Sequence, residues 1–301
     1  HDKDKRAGNA SVRKKFCAGC RGIEAGKVEK YAEGRTGESS GSVQEGERLM
    51  KRQVSETAAD FLYYYLLGVT LEDIENLNDK EMSFICANRA YLDMNRTLKF
   101  SEPCEKKEEN EKRKCFCNTI CDLIVKEVIN MLKTLHTDQF DDWHNATCSQ
   151  IINIARKFPG LQKETILDII ENKYSNKNER FYYGQAQKWL NMTIKYMWIT
   201  GKWYEEIKSK MSVLHVPVDS YIIEGVWNRD GWDDILKGIL VNGKEKRGPF
   251  SSDKVVPWSK WDEAQYIDFQ LALRTELKKE QIPFEWEEET WIEIAKLRAS
   301  K

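Results

Sequence analysis

The sequence has no apolar run that approaches the roughly 20 residues needed to span a bilayer. Its longest apolar stretch, residues 61–67, is seven residues long. A transmembrane protein is therefore not expected, and neither is a membrane partner. The N-terminus is polar and basic and has no apolar core of the signal-peptide type, so a cytoplasmic location is expected. Proline is scarce, with 6 in 301 residues, and histidine numbers only 4. Few helix-breaking positions and few imidazoles leave little scope for a loop-rich or histidine-ligated metal protein. Charge of one sign is also lacking: 48 Lys and Arg oppose 49 Asp and Glu. No global positive field draws the chain to nucleic acid, which argues against a DNA-coating protein but not against an enzyme that engages DNA through one groove.

The eight cysteines comprise Cys17 and Cys20 in a C-x-x-C, a group at Cys104, Cys115, Cys117 and Cys121, and Cys86 and Cys148 alone. Four grouped cysteines could bind zinc or an iron–sulfur cluster, but Cys115-x-Cys117 is too short for a knuckle and a second C-x-x-C is missing. Reduced, partly buried thiols are the simpler expectation; a disulfide-bonded secreted module is the other. Asn9, Asn95, Asn145 and Asn191 each open an N-x-S/T sequon, a pattern common by chance.

Residues 1–45 read as a flexible basic tail. Residues 46–178 form an N-terminal helical region and residues 179–301 a C-terminal one. Met50, Val54, Ala58, Phe61 and Tyr65 mark a helical stripe that ends before about Thr70. Asp79 opens a helix with Met82, Ile85, Cys86 and Ala90 inward. Ser101 to Lys114, with five Glu and five Lys or Arg, reads as an exposed charged loop. Helices are predicted to end near Leu135 and at Pro159-Gly160, with a short one over 161–174. Further helices are predicted over 179–199, 219–227, 232–240, 258–277 and 287–298. Nine of the ten tryptophans lie between Trp189 and Trp291. The expected fold is all-α: two packed helical subdomains with a cleft between them.

Two segments carry the chemistry. On a helical wheel Gln185, Lys188, Asn191 and Lys195 fall within about 120° of one another. Apolar residues fill most of the rest. Such a face is ordinarily just solvated. Here, however, no acid lies between Gly184 and Gly201, and amides beside lysines suit a buried polar cleft. Burial and repulsion between Lys188 and Lys195 would depress a lysine pKa and make a nucleophile. The second segment runs from Val213 to Trp227, where Asp219 stands at a helix start. Aspartate is a favoured N-cap; a capping carboxylate is also rigid and held ionised by the helix N-terminus. His215 reads as structural rather than catalytic.

Lys188-Trp-Leu-Asn on a helix, followed after a long gap by Val216-Pro-Val-Asp219-Ser-Tyr-Ile-Ile, resembles the lysine–aspartate pair of the helix-hairpin-helix DNA glycosylase superfamily. It is most similar to the archaeal 8-oxoguanine glycosylase branch. The resemblance covers residues 181–227. The L-P-G-x-G hairpin that precedes the lysine in most of that superfamily is absent; Tyr182-Tyr-Gly-Gln-Ala-Gln stands there. The resemblance implies an all-α glycosylase, possessing AP-lyase activity through a Schiff base, that acts as a monomer on double-stranded DNA with a modified base. It implies Lys188 as nucleophile and Asp219 as electrostatic stabiliser, with no metal and no cofactor. Gln185, Asn191, Tyr183, Trp189, Lys195 and Trp227 are then candidates to hold the flipped base. Lys244, Lys246, Arg247 and Lys254 are candidates to contact the DNA backbone. Two alternatives stay open: a non-catalytic helical binding module, and a glycosylase acting on a modified base in phage DNA.

Overall fold

The structure is a computed structural model and describes residues 55–100, 106–159, 161, 181–241, 248–277 and 281–300. The N-terminal tail, the 161–174 helix beyond Leu161, and Lys244, Lys246 and Arg247 lie outside the described residues. The chain is all-α: among the described residues there is no strand, only isolated bridges that join Phe100 to Leu161 and Leu240 to Val255. No helix among them is long and apolar enough to cross a membrane.

The helices are α1 (Glu56–Leu67), α2 (Leu71–Asn76), α3 (Asp79–Met94), α4 (Lys106–Thr134), α5 (Phe140–Lys157), α6 (Tyr183–Thr200), α7 (Tyr204–Lys208), α8 (Ser220–Trp227), α9 (Asp233–Leu236), α10 (Glu263–Glu276) and α11 (Pro283–Ala299). Residues 53–301 form one compact unit. The boundary drawn at 178 on sequence grounds does not divide the core: α3 from one side packs most extensively on α6 from the other.

Four expected elements change, the helix predicted over 232–240 being only α9 followed by a 3-10 turn, Lys237–Ile239. Lys106–Lys114 is not loop but the start of α4. Glu108 and Lys112 (2.5 Å) and Glu109 and Arg113 (2.6 Å) pair one turn apart, so the alternating charges that suggested an exposed loop support a helix. The stretch predicted as one helix over 258–277 is a 3-10 turn, Trp258–Lys260, followed by α10. Asp262 restarts the chain as an N-cap in a reciprocal capping box with Gln265. The last helix starts at Pro283 rather than Glu287, as proline at the first helical position permits.

Helix α6 runs through the middle of the fold and is buried on nearly every side. Its buried charges, Lys188 and Lys195, take their partners from other elements, as burial requires. Its N-terminal turn is clamped by the Trp258–Trp261 segment. Gly184 donates its backbone N–H to the Trp261 carbonyl at 3.0 Å. A Cβ at position 184 would lie 1.8 Å from the Trp258 carbonyl oxygen, so only glycine fits. Helices α8 and α11 cross as closely: a Cβ at Gly225 would lie 2.2 Å from Thr290 Cγ2. This crossing brings the first half of α11 to the site.

Candidate active site

The polar face of α6 grips the extended segment that leads into α8. Gln187 Nε2 donates to the Val218 carbonyl at 3.1 Å, and its Oε1 accepts from Val218 N–H at 3.3 Å. Asn191 Nδ2 reaches the Val216 carbonyl at 3.4 Å. Lys188 Nζ lies 3.5 Å from the Pro217 carbonyl and donates to Asp219 Oδ2 at 2.9 Å. The other carboxylate oxygen, Oδ1, accepts Tyr221 N–H at 2.8 Å and Ile222 N–H at 3.2 Å as the N-cap of α8. One oxygen thus fixes the helix and the other faces the amine. Burial alone would raise the Asp219 carboxyl pKa; the Lys188 ammonium and the two backbone N–H groups outweigh it and hold the pKa below the ordinary carboxylate value.

The pair forms part of the wall of a cavity of about 710 Å³. Arg89, Asp93 and Arg96 line one side, and Glu287, Glu288 and Trp291 another. Lys195, two turns after Lys188, makes a very short hydrogen bond to Glu287 and pairs with Glu288 at 3.1 Å. This corrects the expected repulsion between the two lysines: each is matched by carboxylates that the wheel did not show. Burial pushes the Glu287 carboxyl up, with Asp219 adding to the rise and Lys195 and Lys188 opposing it. Tyr221 and Trp291 stack at the rim with ring centroids 4.8 Å apart.

The other expected base contacts are placed differently. Gln185 caps the start of α6, accepting Tyr182 N–H at 2.9 Å and donating to the carbonyl and hydroxyl of Thr97. Asn191 spends its amide on Gln187, Val216 and the Tyr266 hydroxyl, and its carbonyl oxygen faces His144 Nε2 at 2.9 Å. Trp189 is fully buried and donates its indole N–H to the Ala87 carbonyl. Tyr183 packs beside Tyr266 in the core. None of these four lines the cavity. Trp227 and Lys254 lie together elsewhere, Lys254 Nζ 5.6 Å from the Trp227 ring, and Trp227 lines a separate smaller cavity with Asp230 and Asp233. Of the expected base contacts, only Lys195 joins Lys188 and Asp219 at the cavity.

His215 is buried. Its Nδ1 accepts from the Tyr266 hydroxyl at 2.9 Å, and its Nε2–H donates to Asp141 at 2.8 Å. Searches among protein-family models, curated proteins and solved structures find no match. Geometry and chemistry therefore carry the functional argument. Among the described residues no cluster of His, Cys, Asp or Glu could hold a metal ion, and their cysteines (Cys86, Cys115, Cys117, Cys121 and Cys148) are free thiols. The residues missed in the sequence are Glu287 and Trp291 above all. The sequence pattern starts the last helix at Glu287; with Pro283 as the first helical residue, Glu287 falls in the second turn, where it faces inward.

Proposed function

We propose that this chain is a DNA glycosylase with AP-lyase activity that excises a modified base through Lys188 and Asp219. The observation that carries the reading is an amine and a helix-capping carboxylate held 2.9 Å apart in the wall of a cavity of about 710 Å³. That volume lies within the range of small-molecule sites, roughly 300–1,000 Å³, and accommodates a flipped nucleoside. The target nucleotide leaves the stack at a cost of a few kcal/mol. As the C1′–N bond breaks, its electron pair leaves with the base. The base takes up the proton that Lys188 gives up, and the freed amine bonds to C1′. Positive charge on the sugar in the transition state faces the fixed Asp219 carboxylate, an interaction already organised before reaction. The lysine nitrogen passes a proton to O4′ as the C1′–O4′ bond breaks, giving a protonated Schiff base on Lys188; the expelled base then takes the C2′ proton, the C3′–O bond breaks, and the 3′ strand leaves as its 5′-phosphate.

The resemblance points to an oxidised purine, and the volume also admits a bulkier modified base such as those of phage DNA. Incubation with duplexes that each carry one modified base, with mass-spectrometric detection of released base, tests the reading: at least one duplex is expected to lose its base. Release from none, together with duplex binding that is unchanged in Lys188→Ala, would favour a non-catalytic binding module. The observation on that side is that Lys188 and Asp219 already satisfy each other as an ion pair that ties α6 to α8.

A further inference from the structure

Two cation-bearing segments converge on the first turn of α6, beside the cavity. The first is the 3-10 turn Asn95–Thr97 that follows α3. Gln185 Nε2 ties it to α6 by hydrogen bonds to the Thr97 hydroxyl at 2.9 Å and its carbonyl at 3.1 Å. This turn carries Arg96, and Lys99 follows two residues beyond its end; both are exposed. The second is the 3-10 turn Trp258–Lys260, clamped against Gly184. It carries Lys260, whose Nζ stands 4.7 Å from the Tyr182 ring centroid. Arg96 and Trp258 line the same cavity as Lys188. Arg96 forms no ion pair among the described residues.

Like charges are therefore held together by rigid attachments. Burial and the nearby Lys99 charge bring the Lys260 amine down to about 8. Glu287 and Glu288 line the cavity on the α11 side, and Arg96 lines the α3 side together with Arg89 and Asp93, which pair with each other at 2.7 Å. Tyr182 precedes Lys188 by six residues, about 9 Å along a helix. A DNA strand covers that distance in two to three base steps of about 3.4 Å.

We propose that Arg96, Lys99 and Lys260 form a phosphodiester-binding strip that holds the DNA backbone next to the nucleotide presented to Lys188. The proposal rests on the glycosylase reading of the cavity. The strip positions the strand and reads no sequence, as phosphate contacts generally do. It also supplies local positive charge in a chain with almost no net charge.

The test is duplex binding across 50–200 mM KCl, using a labelled oligonucleotide with a non-cleavable abasic analogue. The variants are Arg96→Ala/Lys99→Ala, the same pair with Lys260→Ala, and Lys126→Ala as an exposed control on α4. Each phosphate that a variant no longer neutralises should lower the steepness of log Kd against log salt by about 0.9. The double variant is expected to lose about 2 from the slope and the triple variant more, with at least about tenfold weaker binding at 100 mM. Lys126→Ala should match wild type. Because the double variant alters only exposed side chains, it keeps the test decisive if Lys260→Ala disturbs folding. Wild-type slope in the double variant, while wild type still traps DNA, overturns the strip and leaves the glycosylase reading standing. A wild-type protein that binds no duplex overturns both. Titration with inorganic phosphate at constant ionic strength separates the sources: phosphate binding that the double variant loses, with an unchanged duplex slope, identifies a free-anion site and overturns the proposal.

Discussion

Replacing Asp219 by Asn tests the site without changing its shape. Asparagine caps a helix as well as aspartate does, so the hydrogen bonds to Tyr221 and Ile222 can persist. What disappears is the negative charge 2.9 Å from Lys188, in a pair whose side chains are only 6% and 15% exposed. Removing one partner of a buried pair leaves the other uncompensated and typically costs about 3–5 kcal/mol. Asp219 retains slight access to the cavity, so the low end, about 3 kcal/mol, is expected. Urea denaturation followed by far-UV circular dichroism reads the change. Lys188→Met in the Asp219→Asn background should recover much of it, because no unpaired charge then remains; a coupling of about 2 kcal/mol fits residues that touch. In base release the same Asp219→Asn change should slow the chemical step by about 10²–10³ if the carboxylate stabilises charge on the sugar. Stability within about 0.5 kcal/mol of wild type, the range of ordinary surface substitutions, would show that the pair is not held as described, whatever the activity.

The remaining predictions concern the interior. His215 is fully buried; burial, assisted by the Arg274 charge, lowers its pKa to about 4, against the opposing pull of Asp141. Burial also lowers His144 well below its ordinary value. The unfolded chain protonates these imidazoles near pH 6.5 and the folded chain does not, so stability is fully present above about pH 6.5 and falls as pH drops toward 4. His215 alone should remove roughly 2 kcal/mol between pH 6.5 and pH 5, and a flat urea midpoint across that interval would contradict its burial as a neutral group. Gly184→Ala drives a methyl group into the Trp258 carbonyl and should cost at least about 2 kcal/mol; a thermal midpoint unchanged from wild type would refute the clamp on α6.

The sequence made some parts of the site legible and left others hidden for specific reasons. The 219–227 helix and its Asp219 cap were readable because capping is local: an acceptor side chain before an apolar helical run has few other uses. The α6 wheel put Gln185, Lys188, Asn191 and Lys195 in one sector, but a wheel cannot say what a face meets, and Gln185 turns instead to Tyr182 and Thr97. Part of this face meets the 216–219 segment, which absorbs the amide of Asn191, and part meets the cavity, which receives the two lysines. Glu287 and Glu288 were hidden because their partner lies about ninety positions earlier, and no local pattern encodes such a distant pairing. The charges of 106–114 were legible as solvated but not as helical, since one-turn ion pairs and an exposed loop have the same composition.

The central claim is that Lys188 is the nucleophile at a base-excision site. Borohydride reduction of the protein with a duplex it processes, followed by digestion and peptide sequencing by mass spectrometry, tests it most directly. The account predicts one covalent sugar adduct, on the peptide carrying Lys188, absent in Lys188→Gln. An adduct on another residue, or undiminished trapping and strand cleavage by Lys188→Gln, would contradict it.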